Sequence, residues 1–190
     1  MPSWQPLWVG YNTLPNGSAI VGRLSPKYMQ RLETLLLHPD SKLRGFVVVD
    51  DQNRVAGFFN RKAFAAKEGK PARGYLKDIF VAEAWRGSNA APMMIEALRQ
   101  EAVNNRWQNV EWHCHNNNPK GIHFYQSLDG VTLASPAVPP SGWNTFSLGD
   151  MQTPIAKKVS SSTSDVPIAP VRSNRHPAKP VVPAIARAER

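Results

Sequence analysis

The chain has 190 residues, of which 42% are hydrophobic, and a formal net charge of +9. This length allows one core of ordinary size with residues left over, while no apolar run approaches the roughly 18–20 residues that cross a bilayer. The single cysteine, Cys114, excludes an internal disulfide. Because no basic stretch followed by an apolar one stands at the N-terminus, we expect a cytoplasmic protein that does not bind membranes.

The charge divides the chain into two parts. Residues 151–190 hold seven basic residues against two acidic ones and are rich in Ser, Pro and Ala, with no aromatic residue. Such a segment has no apolar face to bury, so we expect a folded domain over residues 1–150 and a disordered basic tail over 151–190. The tail is either a solvated extension or an arm that contacts nucleic acid or another acidic surface.

The first predicted elements lie in the N-terminal forty residues. Short apolar groups between residues 4 and 23, separated by a turn signal, favour a hairpin or two short strands. Ser25 followed by Pro26 is typical of a helix start, and apolar residues then recur at helical spacing as far as His38.

The middle of the chain alternates strand and helix patterns. Runs of β-branched and aromatic residues at 46–49 and 55–59 flank a polar turn and predict a hairpin. The later predicted elements are, in order, strand 74–81, a helix starting near 91, strand 110–115, helix 119–128, and strands 131–133 and 143–148, the last at an edge. This order predicts one mixed α/β sheet with helices packed against it.

A polar turn, RGSNAA at residues 86–91, lies between the strand and the helix in the middle of this region. A helix N-terminus presents unpaired N–H groups and partial positive charge, so a tight turn leading into it can hold a pyrophosphate. The simpler interpretation is a loop in which Ser88 or Asn89 caps the helix and Pro92 occupies its first turn.

The turn is preceded by the strand motif GYLKDIFV and followed by NNNPKGIHFYQSLDG at residues 116–130. In this order and at these spacings, the motifs resemble the acetyl-CoA-binding half of the GNAT superfamily of N-acyltransferases. In the family's Arg/Gln-x-x-Gly-x-Gly/Ala pattern, Arg86 and Ala91 match, whereas Asn89 stands at the first glycine. Pro92 is a second departure, because it removes one N–H from the phosphate-binding region.

The resemblance implies a mixed, mostly antiparallel sheet flanked by helices and an acetyl-CoA-binding site. In the family, the strand pairs its backbone with the pantetheine arm and donates an N–H to the acyl carbonyl, the turn holds the pyrophosphate, and a later asparagine contacts the cofactor. The cofactor-binding residues implied in this way are Ile79, Phe80, Val81, Arg86, Gly87, Ser88, Asn89, Ala90, Ala91 and Asn118.

The resemblance also assigns catalytic roles. Tyr125 aligns with the family's tyrosine that protonates the departing thiolate, and a phenol holds its proton at neutral pH; the other interpretation is a core aromatic beside Phe124. For the base that takes a proton from the amine, Asp78 is the first candidate and Glu83 the second, directly or through water. A solvated strand residue is the other interpretation of Asp78.

A metal site is the alternative chemistry that we considered. Strand alternation places His113 and His115 on one face and Cys114 on the other, and this spacing fits no standard zinc motif. We therefore expect no metal and a buried, apolar role for the cysteine.

The sequence thus favours an N-acetyltransferase in which a primary amine, of a small molecule or a protein, attacks acetyl-CoA directly in a ternary complex. The alternative is a catalytically weak or inactive GNAT-fold binding or assembly protein whose basic tail contacts nucleic acid or another acidic partner. Asn89 and Pro92 favour this module, whereas Tyr125 and Asn118 favour the enzyme. Acyl transfer onto nucleic acid or onto a nucleic-acid-bound substrate is a third alternative.

Overall fold

The computed structural model describes residues 5–13, 20–138, 140–149 and 178–183. The helices are α1 (Gln5–Tyr11), α2 (Val21–Leu24), α3 (Pro26–Leu37), α4 (Ala90–Asn104) and α5 (Pro119–Gln126), with a 3₁₀ turn at Glu83–Trp85. The strands are β1 (Leu43–Asp50), β2 (Val55–Phe64), β3 (Arg73–Val81), β4 (Val110–His115), β5 (Val131–Ser135), β6 (Trp143–Leu148) and β7 (Ala178–Pro183). Within these ranges, no helix combines the length and apolar character needed to span a membrane.

The strands form a single sheet in the order β5-β6-β4-β3-β2-β1-β7. All neighbouring strands are antiparallel except β3 and β4, which are parallel. The mixed, mostly antiparallel α/β sheet that the sequence predicted is therefore confirmed.

The prediction of strands before residue 24 is wrong. Residues 5–11 and 21–24 are helical, because Leu7, Trp8 and Tyr11 recur at helical spacing and pack together against the sheet. The predicted turn residues between these helices lie outside the described part of the chain. The next prediction is confirmed, since Ser25 caps α3 by accepting a hydrogen bond from the N–H of Tyr28.

Two strand assignments at the margins of the sheet also differ from expectation. β6 lies between β4 and β5, so the predicted edge position is wrong, because β5 turns back to pair with its outer side. β7, which the sequence did not predict, lies within the 151–190 segment and pairs antiparallel with the outer edge of β1. The rest of that segment lies outside the described residues.

Helices cover both faces of the sheet. On one face, Met94, Ile95 and Leu98 of α4 are fully buried in a cluster that also includes Tyr125 of α5. On the other face, Trp8 of α1 joins the buried leucines of α3 against β1 and β2. This two-sided packing stabilises the sheet that carries the site.

β3 and β4 open away from one another. They pair only at Gly74↔Val110 and Tyr75↔Glu111, although β3 continues to Val81 and β4 to His115. Beyond Tyr75, no strand among the described residues therefore pairs with this edge of β3. We call this gap the β3–β4 opening.

Candidate active site

The exposed edge of β3 presents backbone groups to the β3–β4 opening. The N–H of Ala82 donates to the carbonyl of Ala56, which follows the start of β2, at 2.9 Å. Because strand groups alternate in direction, the N–H of Phe80 also points towards β2, whereas those of Ile79 and Val81 point into the opening. Consistent with this, the carbonyl of Val81 accepts a hydrogen bond from the Arg86 side chain rather than from β2.

The turn after β3 is unstrained at the position where the family glycine is replaced. Asn89 is the N-cap of α4 with a φ of −78°, and the left-handed residue is Gly87, with a φ of 72°. Ser88 accepts a hydrogen bond from the N–H of Ala90 and donates to the carbonyl of Trp85. The asparagine therefore occupies a conformation open to any residue.

Three backbone donors remain available at this turn. Considering only the described residues, the hydrogen bonds leave the N–H groups of Gly87, Asn89 and Ala91 without an acceptor. Pro92 removes one further donor from the first turn of the fifteen-residue helix α4. The remaining donors, together with the helix dipole, form a site suited to a phosphate group.

A cleft of about 770 Å³ lies over β3, β4 and β6, on the face opposite α4 and α5. Six elements and the loop before β6 contribute to it. The lining residues are Tyr11, Arg23, Tyr75, Lys77, Asp78, His113, Ser135, Pro136, Val138, Ser141, Trp143 and Thr145. Most of these side chains are polar or aromatic, so the cleft can hold both polar groups and an apolar body.

A β-bulge in β3 forms part of the floor of the cleft. The register with β2 passes from Asn60↔Asp78 to Arg61↔Leu76, so Lys77 is an extra residue with no partner. At such a bulge, two successive side chains can share a face of the sheet, and here Lys77 and Asp78 both line the cleft. Regular alternation would have placed them on opposite faces.

The carboxylate of Asp78 is held by three donors. One oxygen accepts from Arg23 at 2.5 Å, and the other accepts from Lys77 at 3.1 Å and Asn60 at 3.2 Å. The side chain is only 2% exposed. The candidate base therefore lies at the site, but both of its oxygens are engaged.

Arg23 is held in place by aromatic rings as well as by this ion pair. Its guanidinium lies 4.6 Å from the ring centre of Trp8 and 5.3 Å from that of Tyr11. Burial lowers the pKa of Arg23, but the hydrogen bond and charge of Asp78 outweigh burial and raise it, so the arginine stays cationic. Burial, followed by the charge of Asp78, raises the pKa of Tyr11 to about 12, which keeps its phenol neutral.

A histidine and a tyrosine form a pair across the start of the opening. Nδ1 of His113 in β4 lies 3.1 Å from the hydroxyl of Tyr75 in β3, and the rings meet edge to face. Burial, followed by the charges of Asp78 and Glu111, raises the pKa of Tyr75. In the tautomer in which Nδ1–H donates to this hydroxyl, Nε2 carries the lone pair that accepts a proton.

Tyr125 lies on the other side of β4. It is 8% exposed and packs against Trp112 at 5.2 Å and Phe146 at 5.2 Å between ring centres. Burial, followed by interaction with Cys114, raises the pKa of Tyr125 well above its usual range. The phenol is thus a core aromatic that holds its proton at neutral pH.

The chain matches the model of the acetyltransferase (GNAT) family over residues 12–130. It belongs to this family. The matched segment includes all of α2–α5 and β1–β4, the turn at residues 86–91 and Tyr125, and α1 lies just before it. The enzyme class predicted from the sequence is confirmed.

Solved structures with the same fold agree with this assignment. A GNAT-family acetyltransferase from Staphylococcus aureus MU50 is similar with a TM-score of 0.56 and 10% identity, over 77% of this chain and 93% of that one. An aminoglycoside acetyltransferase from an uncultured soil metagenomic sample has a TM-score of 0.51 and 16% identity, over 66% and 76%. At these identities the likeness shows the fold alone. No curated protein sequence matches the chain.

The other residues that the sequence predicted differ in their positions relative to the cleft. Asn118 caps α5, where its side-chain oxygen accepts from the N–H of Gly121 at 3.0 Å. Glu83 is exposed at the start of the 3₁₀ turn and is not among the residues that line the cleft. Cys114 is buried in the core, on the face opposite His113, as strand alternation predicted. Its chemistry is therefore separated from that of the cleft.

Several residues that line the cleft were not predicted from the sequence. Arg23 and Tyr11 come from a region that was predicted as strands, so their approach to β3 was not foreseen. The sequence shows His113 as a histidine on one face of a strand, but its neighbours Cys114 and His115 suggest a metal ligand rather than a base. The described residues contain no group of three or more metal-ligating side chains.

Proposed function

We propose that the protein transfers an acetyl group from acetyl-CoA to a primary amine by direct attack in a ternary complex. The observation that carries the proposal is the β3–β4 opening. Beside it, His113, an imidazole in an open cleft, and Tyr125, a buried phenol that holds its proton, lie on opposite faces of β4. A reaction that needs one group to take a proton and another to give one suits this arrangement.

The backbone groups of the site fit acetyl-CoA. Acetyl-CoA, when bound, supplies the acetyl group as an activated thioester. The N–H groups of Ile79 and Val81 would hold the pantetheine arm, as the open edge of β3 suggests. The three unpartnered N–H groups of the turn, with Arg86 beside them, would hold the pyrophosphate.

The helix α5 supplies a further cofactor contact in this proposal. Asn118 uses its side-chain oxygen as the cap of α5. Its amide N–H₂ group remains a donor that a cofactor carbonyl or phosphate could accept from. The asparagine would then position the cofactor while it fixes the start of the helix that carries Tyr125.

Within this proposal, His113 takes the proton from the amine. Its partner Tyr75 orients the ring, and the imidazole lies on the cleft side, from which an acceptor can approach. We assign this role to His113 in place of Asp78, because the oxygens of Asp78 are engaged by Arg23 and Lys77. Asp78 instead holds these two cations at the floor of the cleft.

Calorimetry and a thiol-release assay on the full chain test the proposal. We expect acetyl-CoA to bind with a micromolar Kd and thiol release to depend on an added amine. Arg86→Glu should weaken binding, because it places a negative charge beside the phosphate-binding turn. Arg44→Glu, an exposed arginine of β1, is the matched control and should bind normally. The absence of acetyl-CoA binding by the unmodified protein would overturn the proposal.

The cytoplasmic location stays a prediction.

A further inference from the structure

We infer that the cleft selects an amine that carries a carboxylate, and that Lys77 is the residue that selects it. This inference rests on the proposed function, because it names the acceptor class of the same site. It comes from the balance of charge at the floor of the cleft.

The charged residues that line the cleft are two cations and one carboxylate: Arg23, Lys77 and Asp78. Both cations contact the same carboxylate, at 2.5 and 3.1 Å. One positive charge is therefore left without a counter-charge among the described lining residues. A partly buried, unmatched charge is costly, and a bound anion would offset it.

The two cations remain accessible to a ligand, whereas the carboxylate does not. The side chains of Arg23 and Lys77 are 27% and 33% exposed, and that of Asp78 is 2% exposed. An entering molecule therefore meets the cationic side of the cluster. Lys77 is the more exposed of the two, and it keeps ammonium donors beyond the one used by Asp78.

Lys77 and His113 lie at the same level of the opening. Tyr75 and Glu111 are register partners in two parallel strands. Lys77 lies two residues after Tyr75, and His113 lies two residues after Glu111. Both side chains line the cleft. A small molecule with an amine near a carboxylate can therefore present the amine to His113 and the carboxylate to Lys77.

The remaining lining suits an apolar body. Trp143 is 50% exposed, although a tryptophan normally buries most of its surface. Pro136 and Val138 line the same cleft. An aromatic α-amino acid combines the amine, the carboxylate and the apolar body. A polycationic acceptor, by contrast, would add positive charge to a cleft that already has an excess.

The test compares three amines of matched shape on the full chain: phenylalanine, phenylalanine amide and phenethylamine. We expect phenylalanine to bind about 10- to 100-fold more tightly than its amide, as for a hydrogen bond to a charged group. The same ratio should hold in kcat/KM for thiol release from acetyl-CoA, with the difference in KM. Lys77→Gln should remove the preference, and Lys77→Glu should reverse it in favour of the uncharged amines. Lys62→Gln, a lysine of the neighbouring strand that does not line this cleft, should keep it.

Binding of the amines is measured by calorimetry without acetyl-CoA, so the two proposals fail in different ways. Equal affinity for phenylalanine and its amide, or a preference that survives in Lys77→Gln, would overturn the inference even if thiol is released. Selective binding of phenylalanine without thiol release would overturn the proposed function and leave the selectivity of the cleft in place.

Discussion

The proposed base, His113, and the proposed acid, Tyr125, lie on opposite sides of β4. His113 lies in the open cleft, where an amine can reach it, and Tyr125 lies in the core beneath the same strand. In the proposed function, a cofactor bound in the β3–β4 opening, where the strands no longer pair, would lie between the two faces. Each residue can therefore be removed separately without changing the other side of the sheet.

Removal of the Tyr125 hydroxyl tests its proposed role as the general acid that protonates the departing thiolate. We expect Tyr125→Phe to lower kcat by about 10²–10⁴-fold, the usual effect of losing a positioned proton donor, with little change in acetyl-CoA affinity. Because the raised pKa keeps the phenol protonated, the wild-type rate should not fall from tyrosine ionisation between pH 6 and about pH 10. Steady-state rates and a thermal melt of both proteins check this. Unchanged kcat in a normally folded variant would rule out the role.

Removal of the His113 imidazole tests its proposed role as the base that takes the proton from the amine. His113→Gln should lower kcat/KM at neutral pH, because it removes the group that takes the proton from the amine. Tyr75→Phe should cause a smaller loss in kcat/KM, since it removes only the hydrogen-bond partner of the imidazole ring. His115→Gln, on the same face of β4 but outside the cleft lining, is the control. Steady-state kinetics of each variant are the measurement, and an unchanged kcat/KM in a normally folded His113→Gln protein would contradict the assignment.

At the scale of elements, two local departures from regular structure shape the site. The bulge at Lys77 turns two adjacent side chains into the cleft, and the turn before α4 leaves backbone donors unpaired. Neither depends on a strained residue at position 89, because Asn89 has an ordinary negative φ. The turn is thus formed by Gly87 and by the two hydrogen bonds of the Ser88 hydroxyl.

This geometry predicts that the family glycine is not needed at position 89. Asn89→Gly should change acetyl-CoA affinity by no more than roughly twofold, since Asn and Gly differ by only a few tenths of a kcal/mol as N-caps. Gly87→Ala should weaken binding more, because its positive φ disfavours a side chain. Calorimetry on both variants is the test. Much tighter binding by Asn89→Gly would mean that the asparagine obstructs the site.

The close contact between β2 and β3 predicts a second sensitive glycine. A Cβ at Gly57 would lie 2.6 Å from the carbonyl oxygen of Phe80, a backbone atom that cannot move independently of the strand. Gly57→Ala should cost about 1–3 kcal/mol of unfolding free energy and also weaken acetyl-CoA binding, because it displaces the open edge of β3. Gly149→Ala, whose added Cβ would have none of the described atoms within 4 Å, should be nearly neutral in denaturant unfolding. A normal stability of Gly57→Ala would show that the strands can separate freely.

At the scale of the whole molecule, the C-terminal segment and the sheet are connected. β7 pairs with β1 over positions that include Val47↔Val182 and Asp50↔Ala178. The sequence predicted no strand there, since the segment is basic and rich in proline and has no amphipathic pattern. The pairing uses backbone groups, which composition does not reveal.

Truncation after residue 149 tests the role of this strand. The shortened chain should keep its acetyl-CoA affinity, because β7 is at the far edge of the sheet from the β3–β4 opening. It should also self-associate more, because the outer edge of β1 loses its partner. Calorimetry and light scattering measure the two properties. Loss of cofactor binding by a folded, monomeric fragment would contradict the separation of tail and site.

Local patterns were sufficient for most of the fold. The cap at Ser25, the β1–β2 hairpin and the order of strands and helices from residue 73 to 148 follow from side-chain type and spacing within short windows. These features depend on neighbours along the chain, as does the turn motif at residues 86–91. The family resemblance was therefore available from the sequence by itself, together with Tyr125 and the backbone of the turn.

Only the tertiary structure decided what the cleft contains. Tyr11, Arg23, Lys77, His113 and Trp143 come from five different elements, and no pattern along the chain relates them. The one-residue shift in the register of β3 places the side chains of Lys77 and Asp78 on the same face of the sheet. The ion pair with Arg23 then engages the carboxylate of Asp78, which its position in the sequence had suggested as the base. Register and long-range ion pairs depend on how whole elements pack, so the charge of the cleft follows from the fold and not from any segment of the sequence.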